Sequence, residues 1–265
     1  VQAFVTEMVE RHALPRKELD RFFERVRHQP AIIRAMTPQV KGARSWQQYR
    51  ARFITPARIE GGVAFWQRHE AALERASQQH GIPPQIVVAI IGVETEYGRV
   101  MGEFRVADAL TTLAFDYPRR AEFFRGELEE FLLLARELSG DALAFRGSFA
   151  GAVGLPQFMP GSYRRYAVDF DGDGRRDLRG SAVDAIGSVA NFLVAHGWQA
   201  GGRFAAGIDD TQPSVLVELA STDADSVFWV GFDNFYVITR YNRSSFYAIS
   251  VLELAQAIHA ARGRP

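Results

Sequence analysis

The sequence predicts a mainly helical protein of the α+β class with one small β element near its C-terminal end. Three observations carry that expectation. Apolar residues recur at helical spacing through most of the chain. The run at residues 86–93 is apolar without a clean stripe, which marks a helix buried on most sides. Short β-branched and aromatic runs separated by turn residues replace the helical pattern only between residues 215 and 238.

The elements follow in order. Phe4, Val5, Met8 and Val9 space a first helix over residues 1–11, and Leu19, Phe22, Phe23 and Val26 repeat the pattern after Pro15. Pro30 and Pro38 bracket a short segment, and residues 45–53 suit another helical turn. Thr55-Pro56 is a strong helix start, an N-cap hydroxyl followed by proline at the first helical position. The helix it opens is expected to run to His80 and stop at Gly81, although Gly61-Gly62 weaken its early part. Pro83 and Pro84 then open the buried helix, which reaches Glu94 and is expected to stop at Gly98.

Residues 105–113 read as a short helix, Phe115-Asp116-Tyr117-Pro118 as a turn, and residues 119–138 as an amphipathic helix carrying Phe123, Phe124, Leu128, Phe131 and Leu132. A glycine-rich passage over residues 147–160 leads into a short helix through Tyr163 and Tyr166, an acidic loop from Asp169, and a helix over residues 182–196. Residues 215–219, 227–230 and 235–238 read as strands, and residues 244–262 as a closing helix.

Composition excludes several classes of function. With 265 residues, 47% apolar and 23% charged, the chain has the make-up of an ordinary globular protein. Formal net charge is zero, from 31 basic and 31 acidic residues, which argues against a broad nucleic-acid footprint. The absence of cysteine excludes disulfides, zinc–thiolate sites and cysteine nucleophiles. The longest apolar run is too short to span a membrane. Val1 opens without a basic, apolar and small-residue leader, so a secretion signal is not read from this chain. Six scattered histidines give no metal spacing, and no GxSxG, Walker A or GxGxxG fingerprint occurs.

Five stretches can carry chemistry. Glu94 ends an apolar run at a helix C-terminus, where desolvation and the partial negative charge of the helix both raise a carboxyl pKa. A general acid working near neutral pH needs that shift. The bland alternative is a glutamate that ends its helix and points into water, and Glu96 is a poor partner because residues two apart face different sides. In the acidic loop, Asp169, Asp171 and Asp173 alternate and Gly174 stands at the sixth position, matching the opening of an EF-hand calcium loop. Arg175 can give a backbone carbonyl and Asp177 holds the ninth position; Gly180 replaces the bidentate glutamate of the twelfth, and Asp184 can close a longer loop. Gln157 lies between Pro156 and Pro160 in a stiff loop, and Tyr241-Asn242-Arg243 follow an apparent strand. Arg119-Arg120 open a helix with the wrong charge for its dipole, a hint of an anionic partner.

Together these stretches resemble the lytic murein transglycosylase B family of bacterial cell-wall enzymes. The resemblance rests on Gly92-Val93-Glu94-Thr95 with Tyr97-Gly98-Arg99, Tyr117-Pro118-Arg119-Arg120-Ala121-Glu122, and Gly147-Ser148-Phe149-Ala150-Gly151-Ala152 running to Gln157-Phe158-Met159-Pro160. It continues through the Asp169 loop, Asp184-Ala185-Ile186-Gly187-Ser188-Val189-Ala190-Asn191 and Asn234-Phe235-Tyr236-Val237-Ile238-Thr239-Arg240-Tyr241-Asn242-Arg243-Ser244, in order from about Trp46 onward. It implies a lysozyme-like helical core with an additional helical lobe and a small β element. The expected division is an N-terminal helical lobe over 1–80, a catalytic core with the EF-hand-like loop over 81–198, a small β region over 199–243 and a C-terminal helix over 244–265.

The resemblance further implies that Glu94 is the only catalytic carboxylate, cleaving peptidoglycan without water to give 1,6-anhydromuramic ends. Tyr49, Ser148, Gln157, Tyr241, Asn242 and Tyr247 would line the sugar cleft, with Arg119 and Arg120 toward the anionic stem peptide. A structural Ca2+ would be held by Asp169, Asp171, Asp173, the Arg175 carbonyl and Asp184, with no organic cofactor. Two departures stand out: the calcium loop is one residue longer before Asp184, and Phe192 stands where the family has a tyrosine. Expected partners are peptidoglycan strands and muropeptides, with cell-wall synthesis proteins as further candidates, for a monomer that does not bind nucleic acid. The expected location is the bacterial periplasm, free or anchored to the outer membrane by a lipid. A lysozyme-type hydrolase and a non-enzymatic calcium-dependent wall-binding protein are the alternatives.

Overall fold

The computed structural model describes residues 1–37, 45–206, 215–220 and 226–263; Pro38, expected to close a short segment, lies outside them. In chain order the helices are α1 (Gln2–His12), α2 (Arg16–Arg25), α3 (Pro30–Met36), α4 (Trp46–Arg50), α5 (Pro56–Arg68), α6 (Glu70–His80), α7 (Pro84–Thr95), α8 (Val106–Asp116), α9 (Ala121–Glu137), α10 (Pro160–Tyr166), α11 (Ala182–Ala195), α12 (Asp233–Tyr241) and α13 (Ser245–Arg262). The strands are β1 (Phe104–Arg105), β2 (Arg146–Gly147), β3 (Ala205–Ala206), β4 (Val215–Leu219) and β5 (Val227–Gly231). The mainly helical class with a small β element is what the structure has.

The chain divides into two compact units. The first comprises Val1–Gln39 with Met101–Arg165. Its centre is α8, buried along most of its length and packed on α9 and α3. Phe4, Phe22, Phe23 and Phe115 meet edge to face beside it. Buried Asp108 accepts the Arg27 backbone N–H at 3.0 Å and pairs with Arg105 at 2.8 Å, so α8 also fixes the link between α2 and α3. The antiparallel pair β1–β2 closes this unit.

The second unit comprises Val40–Val100 with Tyr166–Pro265. Its core is α7, whose Ile86, Val87, Val88, Ile90, Ile91 and Val93 are all buried against α13, α5, α6 and α11. Each such side chain contributes about 1.5–3 kcal/mol relative to exposure. The antiparallel sheet β3-β5-β4 belongs to the same unit. These two units follow a different cut from the four segments expected from the sequence, because the first 39 residues group with Met101–Arg165 rather than with α5 and α6.

Three local expectations are corrected. The helix expected over residues 56–80 is two helices, broken at His69 (φ −117°, ψ 25°), whose N–H closes α5 and whose carbonyl opens α6. No glycine or proline marks that break. The strand expected over residues 235–238 is part of α12: Asn234, Phe235, Val237 and Ile238 are buried at helical spacing while Tyr236 is exposed. Asn234 anchors it, accepting the Gln199 N–H at 2.9 Å and donating to the carbonyls of Gln199 and Gly202. Helix α7 ends before Gly98, because Glu96 already takes a left-handed conformation (φ 50°, ψ 51°).

Candidate active site

Glu94 lies in the last turn of α7, half-buried, and its Oε1 accepts the Tyr247 hydroxyl at 2.7 Å. Burial pushes the carboxyl up to about 7, while the tyrosine pulls the other way by favouring the anion. Tyr247 is delivered by the first turn of α13, whose N-cap Ser244 accepts the Tyr247 N–H at 3.3 Å. The ring of Tyr241, last residue of α12, lies parallel to that of Tyr247 with centroids 6.4 Å apart. Burial, and then the Glu94 charge, holds both phenols well above 10. Of Glu94, Tyr241 and Tyr247, Glu94 is therefore the one that titrates near neutrality. Tyr49 in α4 is tilted against the Phe53 ring and meets Phe246 edge to face, and Asn242 is exposed just past α12.

Phe192, on α11, fills the place expected of a tyrosine. It stacks on His196 at 4.0 Å and lies 4.8 Å from the Tyr241 ring, so an apolar face stands beside the phenol.

Ser148, Gln157, Arg119 and Arg120 belong to the first unit. The Ser148 Oγ accepts the N–H groups of Ala150 and Ala152, tightening the glycine-rich turn. Gly151 (φ 88°) is required there, since a Cβ would stand 2.5 Å from Leu110. Val153 and Phe158 exchange backbone hydrogen bonds at 2.8 and 3.1 Å, closing a small loop that presents Gln157. Gln157 is left-handed (φ 50°), and its amide donates to the carbonyls of Gly154 (2.9 Å) and Met101 (3.2 Å), which fixes its orientation. Arg119 and Arg120 are exposed in the 3-10 turn Pro118–Arg120, with the Arg120 guanidinium 4.2 Å from the Phe123 ring centre.

In the acidic loop, carboxylate oxygens of Asp169, Asp171 and Asp184 lie within 4.8 Å of one another. Asp169 accepts the N–H groups of Gly172, Asp173 and Gly174. Buried Asp184 accepts those of Phe170, Asp171 and Asp177. Asp173 stands outside the group of three: its Oδ1 accepts the Arg175 N–H at 2.8 Å. The extra residue before Asp184 does not keep it from the cluster. At position twelve, Gly180 is held by Asp177, which accepts its N–H at 2.8 Å.

The chain matches the Transglycosylase SLT domain family over residues 1–214 and 205–256. It belongs to that family. It is 44% identical to the membrane-bound lytic murein transglycosylase B of Escherichia coli K12 over 98% of this chain and 83% of that protein. The E. coli lytic transglycosylase Slt35, solved in complex with calcium, superposes with a TM-score of 0.89 at 44% identity over 99% of this chain and 93% of that one. SltB3 of Pseudomonas aeruginosa, solved with NAG-anhNAM-pentapeptide, gives 0.85 at 30% identity over 97% and 78%. Like these relatives of the Transglycosylase SLT domain family, the chain is a lytic transglycosylase that cleaves peptidoglycan, on a lysozyme-like helical fold. No helix among the described residues is long and apolar enough to cross a membrane.

Sequence reasoning singled out Glu94, Tyr241 and Tyr247, but it gave no role to Arg58, placed Tyr97 only in a motif and dismissed Glu96 as a partner; all three surround the end of α7. The signals for their role were the Tyr97-Gly98-Arg99 motif and the pair of glycines in α5, a local conflict with helix propensity.

Proposed function

We propose that Glu94 is the sole catalytic carboxylate and works first as acid, then as base. Protonated Glu94 donates to the glycosidic oxygen between N-acetylmuramic acid and N-acetylglucosamine, and the C1–O bond breaks. The acetamido group of the muramic residue stabilises the oxocarbenium-like C1. The resulting carboxylate takes the proton of the muramic C6 hydroxyl as O6 bonds to C1, which closes a 1,6-anhydro ring and returns the proton to Glu94. No water is consumed.

The observation that carries this reading is the environment of Glu94. Among the described residues its shift has two causes, burial and the Tyr247 hydrogen bond, and neither is another charge. Hydrolases of either stereochemistry place a second carboxylate about 5–9.5 Å away, to act as nucleophile or to activate water. At such a separation in a poorly solvated site, that carboxylate would be a strong like-charge perturbation. A single-carboxylate mechanism with an internal nucleophile fits the site better.

Tyr49, Tyr241, Asn242, Tyr247, Ser148 and Gln157 are proposed to contact sugar, and Arg119 and Arg120 the anionic stem peptide. SltB3, bound to an anhydro-muropeptide, supports both the product and the peptide. The segment 81–198 is the proposed catalytic core. Calcium is proposed at Asp169, Asp171 and Asp184, a purely oxygen donor set of the kind that cation prefers; the calcium complex of Slt35 supports it. Asp173 and the Arg175 carbonyl are proposed as outer ligands. The proposed place of action is the periplasm at the outer membrane, in keeping with the membrane-bound relative.

The test is product mass analysis of digested peptidoglycan beside a Glu94→Gln variant. Anhydromuropeptides, lighter by one water than hydrolysis products, are expected from the native enzyme and none from the folded variant. Reducing muropeptides alone would end the proposal.

A further inference from the structure

Tyr97 stands three residues past Glu94, outside the helix, in surroundings shaped to receive it. A Cβ on Gly61 would come 2.9 Å from its ring, one on Gly62 2.7 Å from its hydroxyl, and one on Gly92 2.6 Å from the same oxygen. Glycine inside a helix costs about 1 kcal/mol relative to alanine. Here α5 carries two and α7 one, and all three face this one ring. The Tyr97 hydroxyl donates to the Arg58 carbonyl at 2.7 Å, and the phenol, mostly buried, is pushed far above 10.

Arg58 holds the same turn a second way. Its guanidinium donates to Glu96 at 2.5 Å and to the Arg52 carbonyl at 2.9 Å, and lies 5.1 Å from the Phe53 ring centre. Arg99 pairs with the other oxygen of Glu96. The turn needs such support. Glu96 (φ 50°) and Tyr97 (φ 62°) are consecutive left-handed residues, neither of them glycine, and each such conformation costs about 1–3 kcal/mol. The Thr95 hydroxyl accepts the Gly98 N–H at 3.1 Å and donates to the Ile91 carbonyl.

A helix end is where carbonyls lose their partners and the backbone frays. Glu94 sits there, yet its carboxyl must stay within reach of both the glycosidic oxygen and Tyr247. We propose that Tyr97 is a positioning residue for Glu94: its ring, wedged on Gly61, Gly62 and Gly92, and its hydroxyl, fastened to Arg58, fix the left-handed turn that holds the Glu94 carboxyl in register. The inference rests on Glu94 being the acid–base of the reaction. It adds that the last turn of α7 is held by α5 through a side chain that need not touch the sugar.

The test uses Tyr97→Phe, Gly61→Ala and Glu94→Gln in the full chain, assayed on a defined glycan oligomer for kcat, KM, the pH profile and melting temperature. Tyr97→Phe keeps the ring and loses only the link to Arg58. Gly61→Ala keeps the tyrosine, improves helix propensity and pushes the ring from the opposite helix. Misplacement by about 1 Å can cost a hundredfold in rate, so the smaller shifts here are expected to lower kcat about tenfold, with KM within about twofold. The alkaline limb of the profile should move to lower pH as the carboxyl gains solvent, since Arg58, Arg99, Glu96 and Tyr247 are unchanged in both variants. A stabilised or unchanged melting temperature with reduced kcat in Gly61→Ala distinguishes positioning from plain stability, and that variant decides alone if Tyr97→Phe fails to fold. Native kcat and an unmoved limb in the folded variants, beside an inactive Glu94→Gln, overturn the positioning role only. An active Glu94→Gln overturns the acid–base reading, and this inference falls with it.

Discussion

Replacing Tyr247 by phenylalanine removes one oxygen and, with it, the hydrogen bond at 2.7 Å to Glu94. The phenol donates more strongly to the carboxylate than to the acid, so its loss disfavours the anion and raises the Glu94 pKa. A hydrogen bond to a charged group contributes about 1.5–3 kcal/mol, and one pKa unit is about 1.4 kcal/mol. The carboxyl, at about 7 in the native protein, should therefore move up by about one to two units. Cleavage begins from the protonated acid, so the alkaline limb of the rate profile should shift upward by that amount. Tyr241, held well above 10, contributes nothing in this range. Rates of anhydro-product formation between pH 5 and pH 9, with circular dichroism to show that the fold is intact, measure the shift. An alkaline limb that stays in place or moves to lower pH in a folded Tyr247→Phe protein refutes the assignment of that limb to Glu94.

Further expectations concern stability and binding. Glu94 is protonated more readily folded than unfolded, so its contribution is neutral below about pH 4.5 and destabilising as pH rises through 7; Glu94→Gln should melt higher than native at pH 8, by up to about 3 kcal/mol, with the gain gone at pH 4. Gly62→Ala would put a Cβ 2.5 Å from Ile258, and chemical denaturation should show a loss of about 1–3 kcal/mol. Calcium added to chelated protein at a hundredfold over its dissociation constant should stabilise by about 2.7 kcal/mol, read as a rise in melting temperature. Asp171→Asn should abolish that rise and melt slightly lower in chelator, since Asp171 accepts the Asp173 N–H and the Ser181 hydroxyl at the exposed side of the loop; Asp184→Asn should melt lower still in chelator, because its buried amide would face three backbone N–H groups. Replacing Arg119 and Arg120 by alanine should raise KM for peptide-bearing glycan several-fold and leave peptide-free glycan unaffected.

Where composition and period agree, the sequence was sufficient. The apolar run of α7 and the Thr55-Pro56 start both predicted their elements, because local chemistry and burial there favour the same answer. The break at His69 has no such local sign, since an ordinary residue carries it. The segment at 235–238 misled because β-branched and aromatic letters suit a strand, whereas burial of Asn234 by its bonds to Gln199 and Gly202 sets a helix. Tertiary context overrode propensity there. In the site, Glu94 was legible from an apolar run that ends in a carboxylate. That Tyr247 bonds directly to Glu94 was not, because 153 residues separate them. The role of Tyr97 was hidden for a related reason: it is written in three glycines on two helices, and their approach to one ring, with Gly62 also close to Ile258, shows only in the fold.

The Asp184 carboxylate accepts three backbone amides across a loop that also curls around Asp169. Such a loop keeps its outline when depleted of cation, because the peptide dipoles already answer the buried charge. Occupancy then resembles filling a socket more than folding a domain, and stripping with chelator followed by resupply should be reversible within the native state. With calcium at the proposed site, a protein built this way loses a margin of heat resistance in a calcium-poor medium, by degrees, and keeps its working shape.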